Sequence, residues 1–587
     1  METKDRRDEI WSQAVGPWDL LIIGGGITGA GLLREAVRLG LRALLVEQRD
    51  FAWGTSSRSS KLVHGGLRYL KEGRLLLTRA AVRARQQLLQ DCPGLIDPLG
   101  FLLTIYKGDF PGRWTYTLGL TVYDLLALRW DHAYYGSQDF QMLAPHIDPR
   151  SLQGGFRYGD AQTDDARLVF RLIHEAELHG GAALNYARAE SLVIEAGRVR
   201  GVRLVDQVQP RQAQVAARVV VNATGAWADR LRHQAGLNPS IRPLRGSHLI
   251  FPAWRLPVAQ AVSFLHPIDR RPVFIFPWES ITLVGTTDVD HQQELDHEPQ
   301  ISPEETAYLM AAVEYQFPCL NLGLEDVIST YAGVRPVIGT GKTDPSRESR
   351  DHVIWLENGL LTVTGGKLTT FRLIALEALK AIRQDLPGMP RPDENIPVLD
   401  PVDLALPEVN ELDEPSWRRL LGRYGSDAPA LVASAQLAEL APIGSTSVLW
   451  AELRWAARTE AVVHLDDLLL RRTRLGLLLP HGGAQYLPTI RAICQPELGW
   501  DNERWEAEQR AYQELWQRCY NIPDPVSVPD WKILMVQADQ LRQERIERHR
   551  HYRRSAAILL VSGIMALLAT IFGLRRWLRG RRKRPLA

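Results

Sequence analysis

A cluster of glycines near the N-terminus constrains the fold of this chain more than any other feature. In the stretch WDLLIIGGGITGAGLLREAVRLG, Gly24, Gly26 and Gly29 form a GxGxxG spacing. A short apolar run, residues 20–23, precedes these glycines, and an amphipathic pattern with helical periodicity follows them as far as Gly40. The pattern predicts a strand that enters a glycine turn and continues into a helix.

A second strand completes this unit and ends in a carboxylate. Apolar residues 41–46 run into Glu47, eighteen residues after Gly29. In such a βαβ unit, Gly24 makes the tight turn and Gly26 lets a pyrophosphate approach the backbone, while Gly29 lets the helix pack on the strand. The helix N-terminus offers free N–H groups and a positive dipole end to phosphates, and the carboxylate can accept hydrogen bonds from both ribose hydroxyls. The sequence therefore predicts a dinucleotide site, and at this point NAD and FAD remain alternatives.

The composition is that of a globular protein. The chain has 587 residues, of which 45% are hydrophobic and 24% are charged, so it is long enough for about three or four domains. A net charge of +2 argues against a nucleic-acid partner for the whole protein. The four cysteines form no CxxC pair, which predicts reduced thiols and neither a disulfide framework nor a structural zinc site.

Strands and helices alternate up to about residue 385, which predicts an α/β fold over residues 17–385. A proline-rich, acidic linker follows. Residues 395–545 are mostly helical in pattern, for example in AELRWAARTEAVVHLDDLLLRRTRLGLLL.

One segment departs from the soluble pattern. Residues 555–574, SAAILLVSGIMALLATIFGL, carry no charge, and as a helix they would extend about 30 Å. A buried core helix is the alternative, but the segment is apolar on every side, which predicts one C-terminal transmembrane helix. Residues 575–587 form a basic tail that suits an anionic lipid bilayer, and the flank before the span is also basic, so the charges do not decide the orientation. Small residues four apart in the span would suit a homodimer seam.

Six motifs in a fixed order carry a family resemblance: TSSRSSKLVHGGLRYL, VNATGAW, GSH, GTTD, GVRP and GGKLTTFR. Together they resemble the FAD-dependent, quinone-linked glycerol-3-phosphate dehydrogenase family over residues 17–385, and RTEAVVHLDDLLLRRTRLGL extends the similarity. The resemblance implies a Rossmann-like FAD-binding domain (about 17–105, 150–240 and 330–385) with an interleaved α+β substrate domain. It also implies FAD as cofactor, oxidation of sn-glycerol 3-phosphate to dihydroxyacetone phosphate, and electron delivery to membrane quinone. The implied location of the protein is the cytoplasmic membrane, with the catalytic domains on the cytoplasmic side.

The resemblance also assigns residues to the cofactor. The implied FAD contacts are Gly24, Gly25, Gly26, Ile27, Thr28, Gly29, Glu47, Gln48, Thr55, Ser56, Ser57, Ser60, Lys61, Leu62, His64, Gly65, Gly66, Ala223, Thr224, Gly225, Gly333, Arg335, Gly366, Lys367, Leu368, Thr369 and Thr370. Gly65 and Gly66 are expected to leave room for the isoalloxazine ring.

A second set is assigned to the substrate. It comprises Arg68, Tyr69, His248, Arg335, Arg350 and Lys367, and the catalytic candidates among them are His248, Arg335 and Lys367. A phosphate needs two or three cations, and the C2 hydroxyl needs a group that takes its proton. His248 is the candidate base, unless Arg335 stabilises the alkoxide directly. No metal is expected, because the calcium-like run from Asp288 lacks the required glycine and glutamate.

Several alternatives remain at this level. The electrons could go to oxygen, as in a glycerol-3-phosphate oxidase, or the substrate could be that of a related FAD-dependent hydroxy-acid or amine oxidoreductase. A flavin-bound sensor or scaffold with a decayed site is a third alternative. Residues 113–130, RWTYTLGLTVYDLLALRW, are either an interfacial helix or an ordinary core helix.

Overall fold

A computed structural model gives the fold of most of the chain. It describes residues 3–66, 73–109, 111–341, 343, 348, 351–402, 412–541, 543, 544 and 547. Arg68, Tyr69 and Arg350, together with the predicted span and basic tail, lie outside the described residues. Within the described ranges, no helix is long and apolar enough to cross a membrane.

The first of two sheets contains eight strands, ordered β17-β18-β10-β1-β2-β7, with β8 and β9 extending from β10 as a hairpin. Strands β1, β2, β7, β10 and β18 pair in parallel, and β17 is antiparallel to β18. The strands are β1 Trp18–Ile23, β2 Ala43–Val46, β7 Ala182–Leu184, β8 Ala187–Glu195, β9 Arg198–Asp206, β10 Gln212–Asn222, β17 His352–Glu357 and β18 Leu360–Gly365. The parallel strands are apolar runs because both of their faces are buried.

The second sheet is mostly antiparallel and contains ten strands. Its order is β15-β11-β14-β13-β12-β4-β6-β3, with β16 on β11 and β5 on β6. The strands are β3 Leu62–Val63, β4 Ile96–Tyr106, β5 Ala133–Gly136, β6 Leu152–Thr163, β11 Ile241–Pro252, β12 Ala261–Leu265, β13 Pro272–Trp278, β14 Ile281–Gly285, β15 Val289–Asp290 and β16 Ser329–Ile338. The chain passes back and forth between the two sheets, so both contribute segments to the edge where they meet.

Helices cover the sheets and build the C-terminal part. Those associated with the sheets are Thr3–Ala14, Ile27–Arg38, Leu75–Asp91, Arg113–Ala127, Ser137–Leu143, Asp165–Leu178, Ala228–Gln234, Pro303–Gln316 and Phe371–Ala381. Those of the C-terminal part are Glu414–Tyr424, Ala428–Ser434, Trp450–Thr459, Leu475–Leu478, Leu487–Leu498 and Asn502–Cys519. The α/β fold and the helical C-terminal part therefore agree with the prediction.

The N-terminal βαβ unit forms as the sequence indicates. Helix Ile27–Arg38 begins directly after Gly26, and Gly40 follows its end with φ of +76°.

Helix Asp165–Leu178 is capped by Asp164, whose side chain accepts a hydrogen bond from the backbone N–H of Arg167.

The long helical pattern after residue 450 is interrupted, contrary to the simple expectation. Helix Trp450–Thr459 ends, an irregular segment follows, and a π-helix covers Asp467–Arg472 before the short helix Leu475–Leu478. The carboxylate of Asp467 accepts the backbone N–H groups of Val463 and His464, which stabilises the irregular turn. Buried charged side chains of this segment form hydrogen bonds with the α/β part, and these contacts prevent the continuous helix that the periodicity predicts.

Candidate functional site

The glycine turn after β1 is shaped by close backbone contacts. Gly24 has φ of +116°, and a Cβ there would lie 2.5 Å from the carbonyl oxygen of Ala223. A Cβ on Gly29 would lie 1.9 Å from the carbonyl oxygen of Gly24, so only glycine lets the helix approach the turn. A Cβ on Gly26 would meet only the Ser56 side chain, with its Oγ at 3.0 Å. The turn is therefore tight on its inner side and open above Gly26.

Polar groups surround the helix N-terminus at this turn. The Glu47 carboxylate accepts hydrogen bonds from the backbone N–H groups of Gly25 at 2.8 Å and Arg49 at 3.0 Å. Burial raises the pKa of Glu47, although these N–H donors oppose the shift. The Ser56 Oγ accepts a hydrogen bond from the N–H of Ile27 at 2.9 Å. Both side chains thus lie at the predicted phosphate and ribose end of the turn, with Thr28 in the first turn of the helix and Gln48 beside Glu47.

Other residues of the 55–61 stretch have structural partners. The Thr55 hydroxyl donates to the carbonyl oxygen of Val334 at 2.5 Å. The buried Lys61 ammonium donates to Asp165 at 3.0 Å and to the carbonyl oxygen of Ser57 at 3.1 Å. Burial, and then the nearby Arg474, lowers the pKa of Lys61 to about 8. The side chain of Lys61 therefore serves the core of the molecule, whereas Ser56 faces the glycine turn.

The next turn, His64–Gly66, is packed more closely than expected. A Cβ on Gly65 would lie 2.0 Å from the Tyr123 hydroxyl oxygen. The backbone N–H of Gly65 donates to the buried Asp160 carboxylate at 3.1 Å. The absence of a side chain at Gly65 is thus required by Tyr123 of the protein itself, and not only by a cofactor ring. Leu62 lies in β3, and Gly66 has φ of +82°.

Two further turns converge on the same edge. They follow β10 and β18, and the carboxyl ends of parallel strands lie at one edge of a sheet. Gly225 has φ of +58°, and a Cβ there would meet only Pro336 at 3.9 Å. Gly365 and Gly366 have φ of +78° and +81°. The structure thus brings the glycine turn together with two more turns, which contain the predicted Ala223 and Thr224, and Lys367, Leu368, Thr369 and Thr370.

These last two turns are fixed by hydrogen bonds from threonines. The Thr224 hydroxyl donates to the Asn222 side chain at 2.7 Å, and the Thr369 hydroxyl donates to the carbonyl oxygen of His64 at 3.2 Å. The Thr370 hydroxyl donates to the carbonyl oxygen of Lys367 at 3.4 Å. The hydrogen bond to His64 ties the turn after β18 to the turn that enters Gly65.

Strands β11 and β16 present the candidate chemical groups on one face. Their antiparallel register pairs His248 with Tyr331 and Gly246 with Gly333. The guanidinium of Arg335 lies over Gly246, where a Cβ would be 2.3 Å from its Nη2. A Cβ on Gly333 would lie 2.6 Å from the carbonyl oxygen of Arg58, so the 55–61 stretch crosses this face. Because these two facing glycines carry no side chains, the guanidinium and the backbone of Arg58 can lie directly over the strands beside the imidazole, and we call this place the glycine gap.

The imidazole of His248 is fully buried and held on two sides. Its Nε2 and the Ser60 hydroxyl are 2.9 Å apart. Its ring stacks on Tyr331 with a centroid distance of 4.5 Å and an interplanar angle of 11°. The Nδ1 is buried and has no hydrogen-bond partner within the described part of the chain. Burial, followed by the charges of Arg335 and Lys61, lowers the pKa of His248 well below its ordinary value, so the ring is neutral near pH 7.

The guanidinium of Arg335 is oriented by the GTTD loop. It donates to the Thr286 hydroxyl at 3.0 Å, to the Asp288 carboxylate at 3.2 Å and to the carbonyl oxygen of Thr287 at 3.3 Å. Arg271 approaches the other oxygen of Asp288 at 3.7 Å. Two guanidiniums thus flank one carboxylate, which leaves a net positive charge beside the glycine gap.

Sequence reasoning missed three of these residues. Tyr331 lies two positions before Gly333 and four before Arg335 on one strand, so the period-two rule would have placed it on the same face. Asp288 is part of the GTTD motif but received no role. Arg271 carries no local signal, because only the tertiary fold brings it to Asp288.

The three turns fit FAD. The space above Gly26, the Ser56 hydroxyl at the helix N-terminus and the open side of Gly225 form a cradle for a dinucleotide. A model of the FAD dependent oxidoreductase family matches residues 19–372, which defines the protein as a flavin-dependent oxidoreductase. A model described as the C-terminal domain of alpha-glycerophosphate oxidase matches residues 393–505.

Individual relatives narrow the class. The aerobic glycerol-3-phosphate dehydrogenase of Staphylococcus saprophyticus is 33% identical over 526 residues, covering 84% of this chain and 94% of that protein. The Bacillus subtilis enzyme of the same name is 38% identical over 375 residues, or 63% of this chain and 67% of that protein. A crystal structure of the Bacillus halodurans glycerol-3-phosphate dehydrogenase complexed with FAD aligns with a TM-score of 0.69 and 28% identity, covering 88% of this chain and 98% of that one. The chain belongs to the FAD-dependent glycerol-3-phosphate dehydrogenase family.

Proposed function

We propose that this protein oxidises sn-glycerol 3-phosphate to dihydroxyacetone phosphate, with a membrane quinone as the final electron acceptor. The observation that carries this proposal is the face shared by His248 and Arg335. A neutral, buried imidazole and an oriented guanidinium lie on one face of β11 and β16, where two glycines let the guanidinium pack against the backbone, beside turns that fit FAD. The names of the relatives support the choice of substrate.

The cations suit a phosphate. Arg335 and Arg271 flank Asp288, and the partly exposed Lys367 lies on the turn after β18. A guanidinium binds phosphate with two parallel hydrogen bonds, which a lysine ammonium cannot reproduce. The net positive charge beside the gap would hold the substrate phosphate and orient C2 toward the flavin cradle.

His248 is placed to move the proton. Its unpartnered Nδ1 keeps its lone pair if Nε2–H donates to Ser60, and a neutral imidazole can then accept the proton of the C2 hydroxyl. Bound FAD supplies the acceptor for the hydride that leaves C2. Arg335 would stabilise negative charge that develops on the C2 oxygen.

Anaerobic spectroscopy tests the reaction. The purified protein should be yellow, and sn-glycerol 3-phosphate should bleach its flavin absorbance, whereas glycerol should do so very poorly because it has no phosphate. Equal bleaching by glycerol would exclude the proposed substrate. Acid precipitation should release the flavin into the supernatant, and colour in the pellet would show a covalent link.

The acceptor needs a separate test. The C-terminal part matches a model named for an oxidase, which makes oxygen the alternative acceptor. Oxidation of the substrate in air should yield little peroxide if quinone is the acceptor, while a short-chain quinone should restore fast turnover. Stoichiometric peroxide would assign the protein as an oxidase.

The membrane setting is part of the proposal. Helix Arg113–Ala127 turns apolar side chains to the outside, with Trp114, Leu118 and Leu125 exposed by 79%, 68% and 63%. These exposures argue against an ordinary core helix and favour an interfacial one. Together with the apolar segment 555–574, they support attachment to an anionic membrane, and the cytoplasmic side is proposed for the catalytic part from the family resemblance.

A further inference from the structure

The C-terminal motif RTEAVVHLDDLLLRRTRLGL has no role in the reaction described above, yet it places charges in the protein interior. Arg471, Arg472 and Arg474 are each at most 1% exposed, and Asp467 is fully buried. Buried charges destabilise a fold unless they are paired and hydrogen-bonded. Three buried arginines within four residues therefore require partners, and besides acceptors within the motif these include the carboxylates of Asp50 and Asp165 in the α/β part.

Two of the arginines bind one carboxylate after β2. The Nε of Arg471 lies 2.5 Å from Asp50, and the Nη2 of Arg472 lies 2.8 Å from it. The Tyr186 hydroxyl donates to Asp467 at 2.7 Å, and the Asn185 side chain donates to the carbonyl oxygen of Ala461 at 2.8 Å. This group of contacts joins the C-terminal part to the strand ends of the first sheet.

Arg474 reaches a different target. Its Nη2 donates to the carbonyl oxygen of Ser57 at 2.7 Å and to Asp165 at 2.8 Å, and its Nη1 donates to the carbonyl oxygen of Leu470 at 2.7 Å. Its backbone is left-handed, with φ of +65°. A single guanidinium therefore spans the C-terminal part and the stretch that crosses the glycine gap.

Asp165 extends this contact along the stretch. Its Oδ2 accepts the backbone N–H of Ser59 at 2.9 Å and the Ser59 hydroxyl at 2.7 Å, while its Oδ1 accepts the Lys61 ammonium at 3.0 Å. Residues 57–61 are thus held at three points by one carboxylate and one guanidinium.

The same stretch holds His248. Ser60 shares a hydrogen bond with Nε2, and Tyr331, which stacks on the imidazole, donates its hydroxyl to the carbonyl oxygen of Ser59 at 2.8 Å. Both supports of the imidazole therefore depend on residues 59 and 60, which Arg474 and Asp165 hold in place.

We propose that Arg474 is a positioning residue, through which the C-terminal part holds residues 57–61 and, by way of Ser60 and Tyr331, the imidazole of His248. This inference rests on the proposed function, in which His248 moves the substrate proton.

The test is the variant Arg474→Lys, with Arg472→Lys as the matched control. Lysine keeps the positive charge, but its single ammonium cannot bridge Ser57, Asp165 and Leu470. Arg472 is equally buried in the same motif and contacts Asp50 and the carbonyl oxygen of Glu460, not residues 57–61. Both variants should lower the unfolding temperature, and both should retain FAD.

Only Arg474→Lys should change the chemistry. At saturating sn-glycerol 3-phosphate, its anaerobic flavin reduction should slow by about ten- to a hundredfold, since small misplacements of a catalytic group have such effects. Its KM should change little. The acid limb of its pH–rate profile should move to higher pH, because a less confined imidazole is less completely buried and further from Arg335 and Lys61, so that its pKa approaches the ordinary value of about 6.5. Arg472→Lys should stay within about twofold of the wild type.

Equal rates in the two variants would overturn the inference, even if both are less stable than the wild type. If Arg474→Lys does not fold, Ser60→Ala decides, measured on protein with normal FAD content, since it removes one of the two supports of His248 without touching the C-terminal contacts. Ser60→Ala should be slow, Ser60→Thr should recover much of the rate, and a wild-type rate in Ser60→Ala would overturn the inference. A wild-type protein that the substrate fails to reduce would instead contradict the proposed function.

Discussion

The guanidinium of Arg335 is the most sharply defined charge at the glycine gap, and its removal gives a direct test. Arg335→Ala should lower kcat/KM for flavin reduction by sn-glycerol 3-phosphate by about thirty- to a thousandfold, because a charge-assisted contact to a desolvated phosphate contributes about 2–4 kcal/mol. Bound FAD, measured by absorbance per protein, should be nearly unchanged. The expected loss belongs to substrate recognition, since Arg335 contacts Thr286, Thr287 and Asp288 and none of the glycine turns.

Arg255→Ala is the control for this prediction. Arg255 also binds a carboxylate, Asp326, at 2.6 Å, but it lies away from the gap. Its replacement should leave flavin reduction within about twofold. The assignment would be contradicted if Arg335→Ala lost most of its bound FAD while the holoenzyme that remains was reduced by the substrate at the wild-type rate.

The pH dependence of flavin reduction follows from the environment of His248. Burial, Arg335 and Lys61 hold its pKa well below 6.5, and a base must be neutral to accept a proton. The rate should therefore rise with pH only in the acid range, and it should be flat from about pH 6.5 to 8. Rapid mixing at saturating substrate, where ionisation of free substrate does not contribute, measures this profile. An acid midpoint at or above 6.5 in the wild type would contradict it.

At single positions, the sequence predicted residue types better than contacts. The motif TSSRSSKLVHGGLRYL assigned both Ser56 and Lys61 to the cofactor. In the structure, Ser56 lies at the helix N-terminus, whereas Lys61 pairs with Asp165. Asp165 is distant in sequence, and no local pattern reveals that it attracts the lysine. The direction of a long side chain therefore had to come from the tertiary structure.

Among the elements, helix Arg113–Ala127 is expected to bind lipid, and this can be tested. Trp114 and Leu118 are one turn apart, so they lie on one exposed face. In protein that ends at Arg554, the double variant Trp114→Ser/Leu118→Ser should bind anionic vesicles several-fold less than its parent, because apolar burial contributes about 25 cal/mol per Å². Flavin reduction should not change. Vesicle sedimentation measures the binding.

Leu437→Ser provides the matched control. Leu437 is 96% exposed but lies in the C-terminal part, away from this helix. Its replacement should leave sedimentation with vesicles unchanged. Equal binding by all three proteins would remove this helix from the proposed membrane surface.

The elements also show where local patterns fail. The N-terminal strands and helix follow their apolar periodicity because their environment is an ordinary packed core. The motif after residue 450 has an equally strong helical pattern, yet it breaks before the π-helix Asp467–Arg472. There, hydrogen bonds across to Asp50 and Tyr186 compete successfully with the continuous helix, and periodicity contains no information about such partners.

For the molecule as a whole, the order of its parts makes truncation informative. The apolar segment 555–574 is C-terminal to every group placed in the candidate site. Protein ending at Arg554 should therefore keep its anaerobic flavin reduction and its activity with a soluble acceptor. It should bind membranes loosely and be released by salt, whereas the full chain should remain in the pellet after an alkaline carbonate wash. Release of the full chain by carbonate would exclude a transmembrane span.

The overall architecture was accessible from sequence because its motifs occur in a fixed order. GxGxxG, VNATGAW and GGKLTTFR each follow a strand, and the parallel sheet brings the three turns to one edge. The packing of the C-terminal part on residues 57–61 was not accessible, since it depends on contacts between residues more than 300 positions apart.

The facing glycines of β11 and β16 have a consequence for how selectivity could change over generations. The guanidinium of Arg335 occupies the volume that a single methyl group on Gly246 would claim, with a separation of 2.3 Å from Nη2. Replacement of Gly246 by alanine would therefore displace the guanidinium from this position without changing the arginine codon. This single substitution could remove the preference for a phosphorylated substrate and favour an uncharged alcohol, although the arginine would still be present in the sequence. Among homologues, the identity of the residue at position 246, opposite Gly333, should therefore indicate the charge of the substrate more reliably than the presence of the arginine.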